Sequence, residues 1–157
     1  MNYNEFKQGW RGGLPETPCG SGSKLSNTVA QREWIPEMVE KYKIKSIADI
    51  GAGDLNWIKT IDVGCVYSAY DLVPRADEVK LFDLRHDKLP KADCLMLNWV
   101  LNHFTVDEAQ AVVEKLLKSK SRYLIVTHRD GYHGVIDATV LESIEICNGA
   151  EMRLIEL

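Results

Sequence analysis

Apolar residues fall into short runs separated by one-sided stripes along the chain. Residues 44–50, 65–73, 79–84, 92–101 and 123–127 are runs rich in β-branched and other apolar side chains, bounded by Gly, Pro, Asp and Lys. Their length and composition predict buried strands. Val29 to Tyr42 instead carries Val29, Trp34, Met38, Val39 and Tyr42 on one stripe, which predicts a helix. Asn27 or Thr28 can cap it, with Gln31 at capping-box distance from Thr28. Pro36 predicts a kink or a break into two short helices. Thr105, with Glu108 three residues on, opens a second helix whose core face is Ala109, Val112, Val113, Leu116 and Leu117. Val140–Cys147 and Glu151–Leu157 flank Asn148-Gly149, a strong hairpin signal. Strands and helices in this alternation predict an α/β fold.

The stretch Ser46-Ile-Ala-Asp49-Ile-Gly51-Ala-Gly53-Asp54-Leu55 organises the rest. A strand runs into Gly51 and Gly53, where backbone can approach a ligand closely. Leu55–Ile61 predicts a short helix whose N-terminus points at the same spot. Strand, glycine turn and helix form the ligand corner of a Rossmann-like sheet. A dinucleotide fingerprint would place glycine where Asn56 stands, and Asp54 occupies the place of a pyrophosphate. Like charges there repel, which disfavours NAD and FAD. Asp49 and Asp54 suit a ligand with an amino group and a sulfonium, namely S-adenosylmethionine. Asp71 closes the second strand about twenty residues beyond the turn, where an acid can accept hydrogen bonds from two ribose hydroxyls.

The sequence Asp49-Ile-Gly51-Ala-Gly53-Asp54-Leu-Asn56-Trp57 is similar to the first motif of class I S-adenosylmethionine-dependent methyltransferases. More narrowly, it resembles small methyltransferase-like proteins of phages and bacteria, in which a Gly/Ser-rich segment ending in Thr and Arg precedes a D-x-G-x-G-D-x-N-W turn. The resemblance runs from about Gly20 to the C-terminus. It implies a Rossmann-like three-layer sandwich around a mostly parallel seven-stranded sheet, order 3-2-1-4-5-7-6, with a C-terminal antiparallel hairpin. It also implies cofactor contacts from Asp49, Gly51, Gly53, Asp54 and Trp57, and from Asp71 and Leu72. Asp83 would take the adenine amino group and the Leu84 backbone would meet the ring. Asn98 and Trp99 would line the pocket, although the relatives often carry Arg-Asp at these two positions. Arg32 falls where the relatives tend to carry Arg, and a solvated surface charge is the other reading.

Residues 1–28 are rich in Gly, Ser and Pro and precede the cofactor-binding domain, residues 29–157. This segment reads equally as a floppy leader or as a lid that brings Ser23 over the ligand. Arg11 could meet the methionine carboxylate, or be a solvated charge. The reaction expected is methyl transfer to an unidentified small molecule or glycan. A non-catalytic S-adenosylmethionine-binding module and another enzyme consuming the same cofactor, such as a lyase, are the alternatives. His103 and His128 follow strands whose ends face the pocket and are the candidate bases, with His128 in the more accessible loop. His103 also reads as a packing or capping residue, and His128 as an exposed loop histidine.

Only Pro74–Glu78 separates Asp71 from the third strand, too short for a crossover helix. A thinly covered sheet face there would suit a partner subunit in a homo-oligomer. The 157 residues fit one domain, and the net charge of -4 lacks the basic footprint of a nucleic-acid-binding protein, although a local basic face would be averaged away. Cys19, Cys65, Cys94 and Cys147 are scattered, with neither a metal-ligand spacing nor a disulfide framework, which predicts a reduced cytoplasmic setting and no metal. The first ten residues have no apolar signal core, and no run is long enough to span a membrane.

Overall fold

The computed structural model describes residues 14–129, 136 and 138–157. Seven strands form one sheet: β1 (Ser46–Ile50), β2 (Val66–Asp71), β3 (Val79–Leu81), β4 (Cys94–Leu97), β5 (Tyr123–His128), β6 (Val140–Ile146) and β7 (Ala150–Glu156). Their order is β3-β2-β1-β4-β5-β7-β6, as the sequence resemblance implies. β1 to β5 run parallel, and β7 lies antiparallel between β5 and β6. The turn before β7 holds Asn148 at φ 63° and Gly149 at φ 64°, the left-handed conformations that this residue pair accepts readily.

Alternation along the strands makes the layers. Ile47, Met96 and Ile125 face one core together with Trp34, Ile35, Met38 and Val39 of helix α1 (Val29–Lys41). Ala48, Ile50, Leu95, Leu97 and Leu124 face a second core with Ala109, Val112, Val113 and Leu116 of helix α2 (Val106–Leu117). β4 is buried along its whole length, as expected of a central parallel strand covered on both faces. Thr105 caps α2 in a complete capping box: the Glu108 N–H donates to Thr105 Oγ1, and the Thr105 N–H to the Glu108 carboxylate.

Four local expectations are corrected. α1 runs unbroken through Pro36, because the apolar residues on both sides of the proline bury against the sheet. Thr28 sits at its N-cap but donates its hydroxyl to Lys24 O at 2.9 Å, and Gln31 is fully buried rather than completing a capping box. Leu55–Ile61 forms no α-helix. Leu55 takes φ 60°, the Asn56 N–H donates to Asp54 Oδ1, and only a single 3-10 turn follows at Ile58–Thr60. The third strand stops at Leu81, so Asp83 and Leu84 lie in the turn beyond it. No helix joins β2 to β3, and Val66 and Leu81 are left 71% and 72% exposed, on opposite faces of the sheet.

Candidate functional site

A cavity of about 370 Å³ opens at the C-terminal ends of the parallel strands. This is where open α/β sheets place ligands, because the connections diverge there. β1 contributes Ile50, Gly51 and Gly53, and the end of β2 contributes Asp71, Leu72, Val73 and Arg75. Phe82, Asp83, Leu84 and Arg85 follow β3. Asn98, Trp99, Val100, Asn102, His103 and Phe104 follow β4, and Arg129 follows β5. Residues 18–23 close one wall and Asn148 reaches in from the hairpin.

The glycine turn satisfies its own backbone. The N–H groups of Gly51 and Ala52 both donate to Tyr70 O, at 2.8 and 3.1 Å. The Gly53 N–H donates to Asp71 Oδ2 at 2.8 Å, and the Val73 N–H to Asp71 Oδ1 at 2.8 Å. These donors are the ones a dinucleotide site would offer to a pyrophosphate, and no α-helix N-terminus follows to replace them. The turn therefore presents a carboxylate to the cavity instead of a phosphate cradle. Gly51 (φ 87°) also has no room for a side chain, since a Cβ would lie 2.4 Å from Val100 Cγ2.

Asp49 lies behind this turn, 3% exposed, and Tyr67 donates its hydroxyl to Asp49 Oδ2. Burial pushes its carboxyl up to about 7, opposed by the Tyr67 bond and reinforced by the charge of Asp71. Its other oxygen is buried, with no hydrogen-bond partner among the described residues. Burial raises the Asp71 carboxyl as well, offset by the backbone N–H groups that hold it. Asp83 is held below its ordinary range, chiefly by Arg85, which donates to both carboxylate oxygens. Asp49 does not line the cavity, whereas the Asp71 carboxylate and the apolar Phe82 and Leu84 do, and these fit a nucleoside ligand.

The N-terminal wall is tied to the turn by Asn56. Its amide donates to Ser23 O at 2.9 Å and to Glu16 Oε1 at 2.8 Å, and Glu16 also accepts from the Leu25 N–H. Cys19 packs its sulfur against Gly53, where an added Cβ would approach to 2.7 Å. Burial, with the charge of Asp54, pushes the Cys19 thiol up to about 12, so it stays protonated. On the opposite side, Thr127 donates to Asn98 Oδ1 at 2.8 Å and accepts from the Trp99 N–H at 3.2 Å. That bond helps to hold Trp99 at φ 57°, a left-handed conformation unusual for a bulky residue.

The structure brings Gly51, Gly53, Asp71, Leu72, Asp83, Leu84, Asn98, Trp99, Ser23 and His103 to one cavity. Several other candidates lie elsewhere. Asp54 hydrogen-bonds its own turn, and Trp57 is buried in the α1-side core, filling space where a helix was expected. His128, the last residue of β5, pairs in register with Glu151 and does not line the cavity. His103 does, and burial lowers its imidazole to about 4. Arg32 donates to Leu25 O at 3.0 Å, bracing the N-terminal wall rather than facing solvent. Arg11 lies outside the described residues. Cys19, Asn56, Thr127, Arg129 and Asn148 were missed by sequence reasoning. For Asn56 the signal was available, since a polar residue replaces the third glycine of the fingerprint.

No model of a known protein family matches the sequence, and no curated protein is significantly similar to it. Solved structures do match. Human N-acetylserotonin methyltransferase in complex with S-adenosylmethionine superposes with a TM-score of 0.60 at 13% identity, over 82% of this chain and 52% of that one. The magnesium protoporphyrin IX methyltransferase of Synechocystis PCC 6803, also with bound S-adenosylmethionine, gives 0.63 at 12% identity, over 86% and 80%. The 16S rRNA methyltransferase RmtF with S-adenosyl-L-homocysteine gives 0.61 at 13%, over 83% and 64%. The fold is that of the class I methyltransferases. Within that fold this chain spans about half the length of the human enzyme, and it omits the helix between β2 and β3.

Proposed function

We propose that the chain binds S-adenosylmethionine in this cavity and transfers its methyl group to a small acceptor. The observation that carries the reading is the glycine turn, whose N–H groups are consumed internally while Asp71 faces the ligand space. Bound there, the cofactor supplies a methyl group on a sulfonium whose neutral thioether is a good leaving group. Asp71 would accept from the ribose hydroxyls with the oxygen lone pairs that the backbone leaves over. Phe82 and Leu84 would sandwich the base, with Asp83 beside its amino group. Asp49 would draw the amino end of the ligand toward the turn, and Arg11 is a candidate for its carboxylate.

On the far side, Thr127 holds Asn98 against the place of the acceptor, and residues 18–23 form one wall. Orientation of the acceptor provides most of the acceleration in such a site. Burial lowers the His103 imidazole to about 4, so His103 would orient an acceptor through a neutral ring nitrogen rather than hold its proton. The free thiols of Cys19, Cys65, Cys94 and Cys147 support a cytoplasmic setting. No helix among the described residues is long and apolar enough to cross a membrane. The uncovered edge at β3, with Leu81 72% exposed, would suit a second copy of the chain. The narrower resemblance to small phage and bacterial proteins is carried by the turn residues and the Gly/Ser-rich segment before them.

Calorimetric titration tests the cofactor. S-adenosylmethionine and S-adenosylhomocysteine should bind and NAD should not. Tight NAD binding without any response to S-adenosylhomocysteine would overturn the reading. Labelled methyl transfer to a small-molecule extract then separates an enzyme from a binding module.

A further inference from the structure

A second groove lies at the opposite end of the parallel strands, between α2 and the segment that leads into β4. Its volume is about 1140 Å³. No helix forms between β3 and β4, and α2 is the sole α-helix on this face among the described residues. Two basic runs without an acid, Lys88–Lys91 and Lys115–Arg122, meet there. The starts of the paired strands β4 and β5 bring them together, and the Ser121 hydroxyl donates to Ala92 O at 2.8 Å. Lys115 ties the two walls by donating to Leu84 O at 2.9 Å and to Asp87 O.

Lys88, Lys91, Lys118 and Lys120 line the groove and are exposed, and none makes an ion pair among the described residues. The acids nearby are occupied. Asp87 accepts from the Asp83 N–H, and Asp93 from the Lys45 N–H and the Arg122 guanidinium. Glu114, the one acid among the described lining residues, lies 3.5 Å from the Gln110 amide. Complementing the helix dipole accounts for Lys118 at the end of α2, but not for Lys88 and Lys91 on the facing wall.

The floor is apolar, with Leu89, Pro90, Ala92 and Ala111 among its lining residues. Ala111, Lys115 and Lys118 stand at i, i+4 and i+7, so one flank of α2 forms the wall. A residue as small as Ala111 lets a second helix approach to the ordinary packing distance of about 8–10 Å. An apolar floor inside a charged rim is the layout of a protein interface. No aromatic or arginine side chain is among the described lining residues, so the groove lacks the stacking platform that nucleic-acid bases use.

We propose that this groove docks an acidic amphipathic helix of a partner protein. The helix lies along α2, with its apolar face on Leu89, Pro90 and Ala111 and its carboxylates against the exposed lysines. It fills the place beside α2 where a crossover helix between β3 and β4 would ordinarily pack. The cofactor cavity is at the other end of the strands, so this docking does not depend on the cofactor reading.

The test is fluorescence anisotropy on the full chain at low salt, where attraction between lysine and carboxylate is least screened. The probe is a labelled peptide of about 14 residues, roughly 21 Å as a helix, with leucine at i, i+4, i+7 and i+11 and glutamate elsewhere. Its controls are a peptide of the same composition whose leucines share no face, and an oligothymidylate of similar length. The amphipathic peptide should bind about tenfold or more tighter than either control. Lys91→Glu combined with Lys120→Glu, both outside helix and strand, should weaken it about tenfold or more. Ala111→Gln should weaken it several-fold by filling the floor, and neither variant should shift Tm. Equal binding of the scrambled peptide, or binding that survives both sets of substitutions, overturns the proposal. So does a lack of binding of the amphipathic peptide to folded protein. Tighter binding of the oligonucleotide would make the groove a phosphate-backbone site, and the helix proposal falls.

Discussion

The Gly53 N–H donates to Asp71 Oδ2 at 2.8 Å, joining the tip of the glycine turn to the end of the neighbouring strand. Asp71 thus has a structural duty before any ligand arrives. Its second oxygen accepts from the Val73 N–H, so one side chain fixes both sides of the cavity floor.

Asp71→Ala should therefore lower stability and affinity together. Two part-buried N–H groups lose their acceptor, a destabilisation of about 1–3 kcal/mol. S-adenosylhomocysteine binding should weaken by a similar amount. Asp71→Asn keeps one acceptor oxygen and should recover part of the stability. Thermal unfolding and calorimetry on the three proteins check this. A parent-like Tm for Asp71→Ala would show that the two bonds contribute nothing.

A second expectation concerns Gly22, which is not in the left-handed region, so its substitution is a purely steric probe. A Cβ there would sit 2.7 Å from Cδ1 and 3.0 Å from Nε1 of Trp99. The indole edge that faces Gly22 is itself buried, so it has little room to give way. Gly22→Ala should displace the N-terminal wall and weaken S-adenosylhomocysteine binding by about 1–2 kcal/mol, the scale of a local overpacking. In the Trp99→Phe background the same substitution should be milder, and the double-mutant cycle measures that coupling. Purely additive losses would place the clash elsewhere.

Much of this architecture was legible in the sequence because its strongest signals are local. The run ending at Ile50, the pair Gly51 and Gly53, the Thr105–Glu108 box and Asn148-Gly149 each encode their own geometry over a few residues. The sheet order followed from resemblance to a known family. What was not legible depends on contacts between distant segments. Leu55–Ile61 reads as helical, yet Trp57 and Ile58 bury better as a turn beneath β2, and the left-handed Leu55 prevents winding. His103 and His128 both follow strands in the sequence. Only the register of β5 against β7 shows that His128 pairs beside Glu151 while the next residue, Arg129, reaches the cavity. The bond from Asn56 to Ser23 spans 33 positions and leaves no periodic trace.

The final prediction uses a buried acid and a half-buried histidine whose proton affinities shift in opposite directions. Asp49 is raised from 3.8 to about 7 by burial, and His103 is lowered from 6.5 to about 4 by the same cause. For Asp49 the folded state holds a proton that the unfolded chain has released, so its contribution to stability is lost as pH rises from about 4 to 7. For His103 the unfolded chain binds a proton that the folded state refuses, so its contribution is lost as pH falls from about 6.5 to 4. The two slopes oppose each other between pH 4 and 6.5. Asp71 adds to the Asp49 slope, and Asp83, held low by Arg85, adds to the His103 slope below its ordinary range. Asp49→Asn keeps an acceptor for Tyr67 but removes one side of this balance, so stability should rise with pH across the window. His103→Gln should do the reverse, its stability falling as pH rises. Each change should amount to something on the order of 2–4 kcal/mol over the whole range. Denaturant midpoints at pH 4.5, 5.5 and 6.5, points chosen inside that window (~4 to ~6.5), check both signs. Parallel pH profiles for the two variants would mean that at least one of these groups does not hold the protonation state assigned to it.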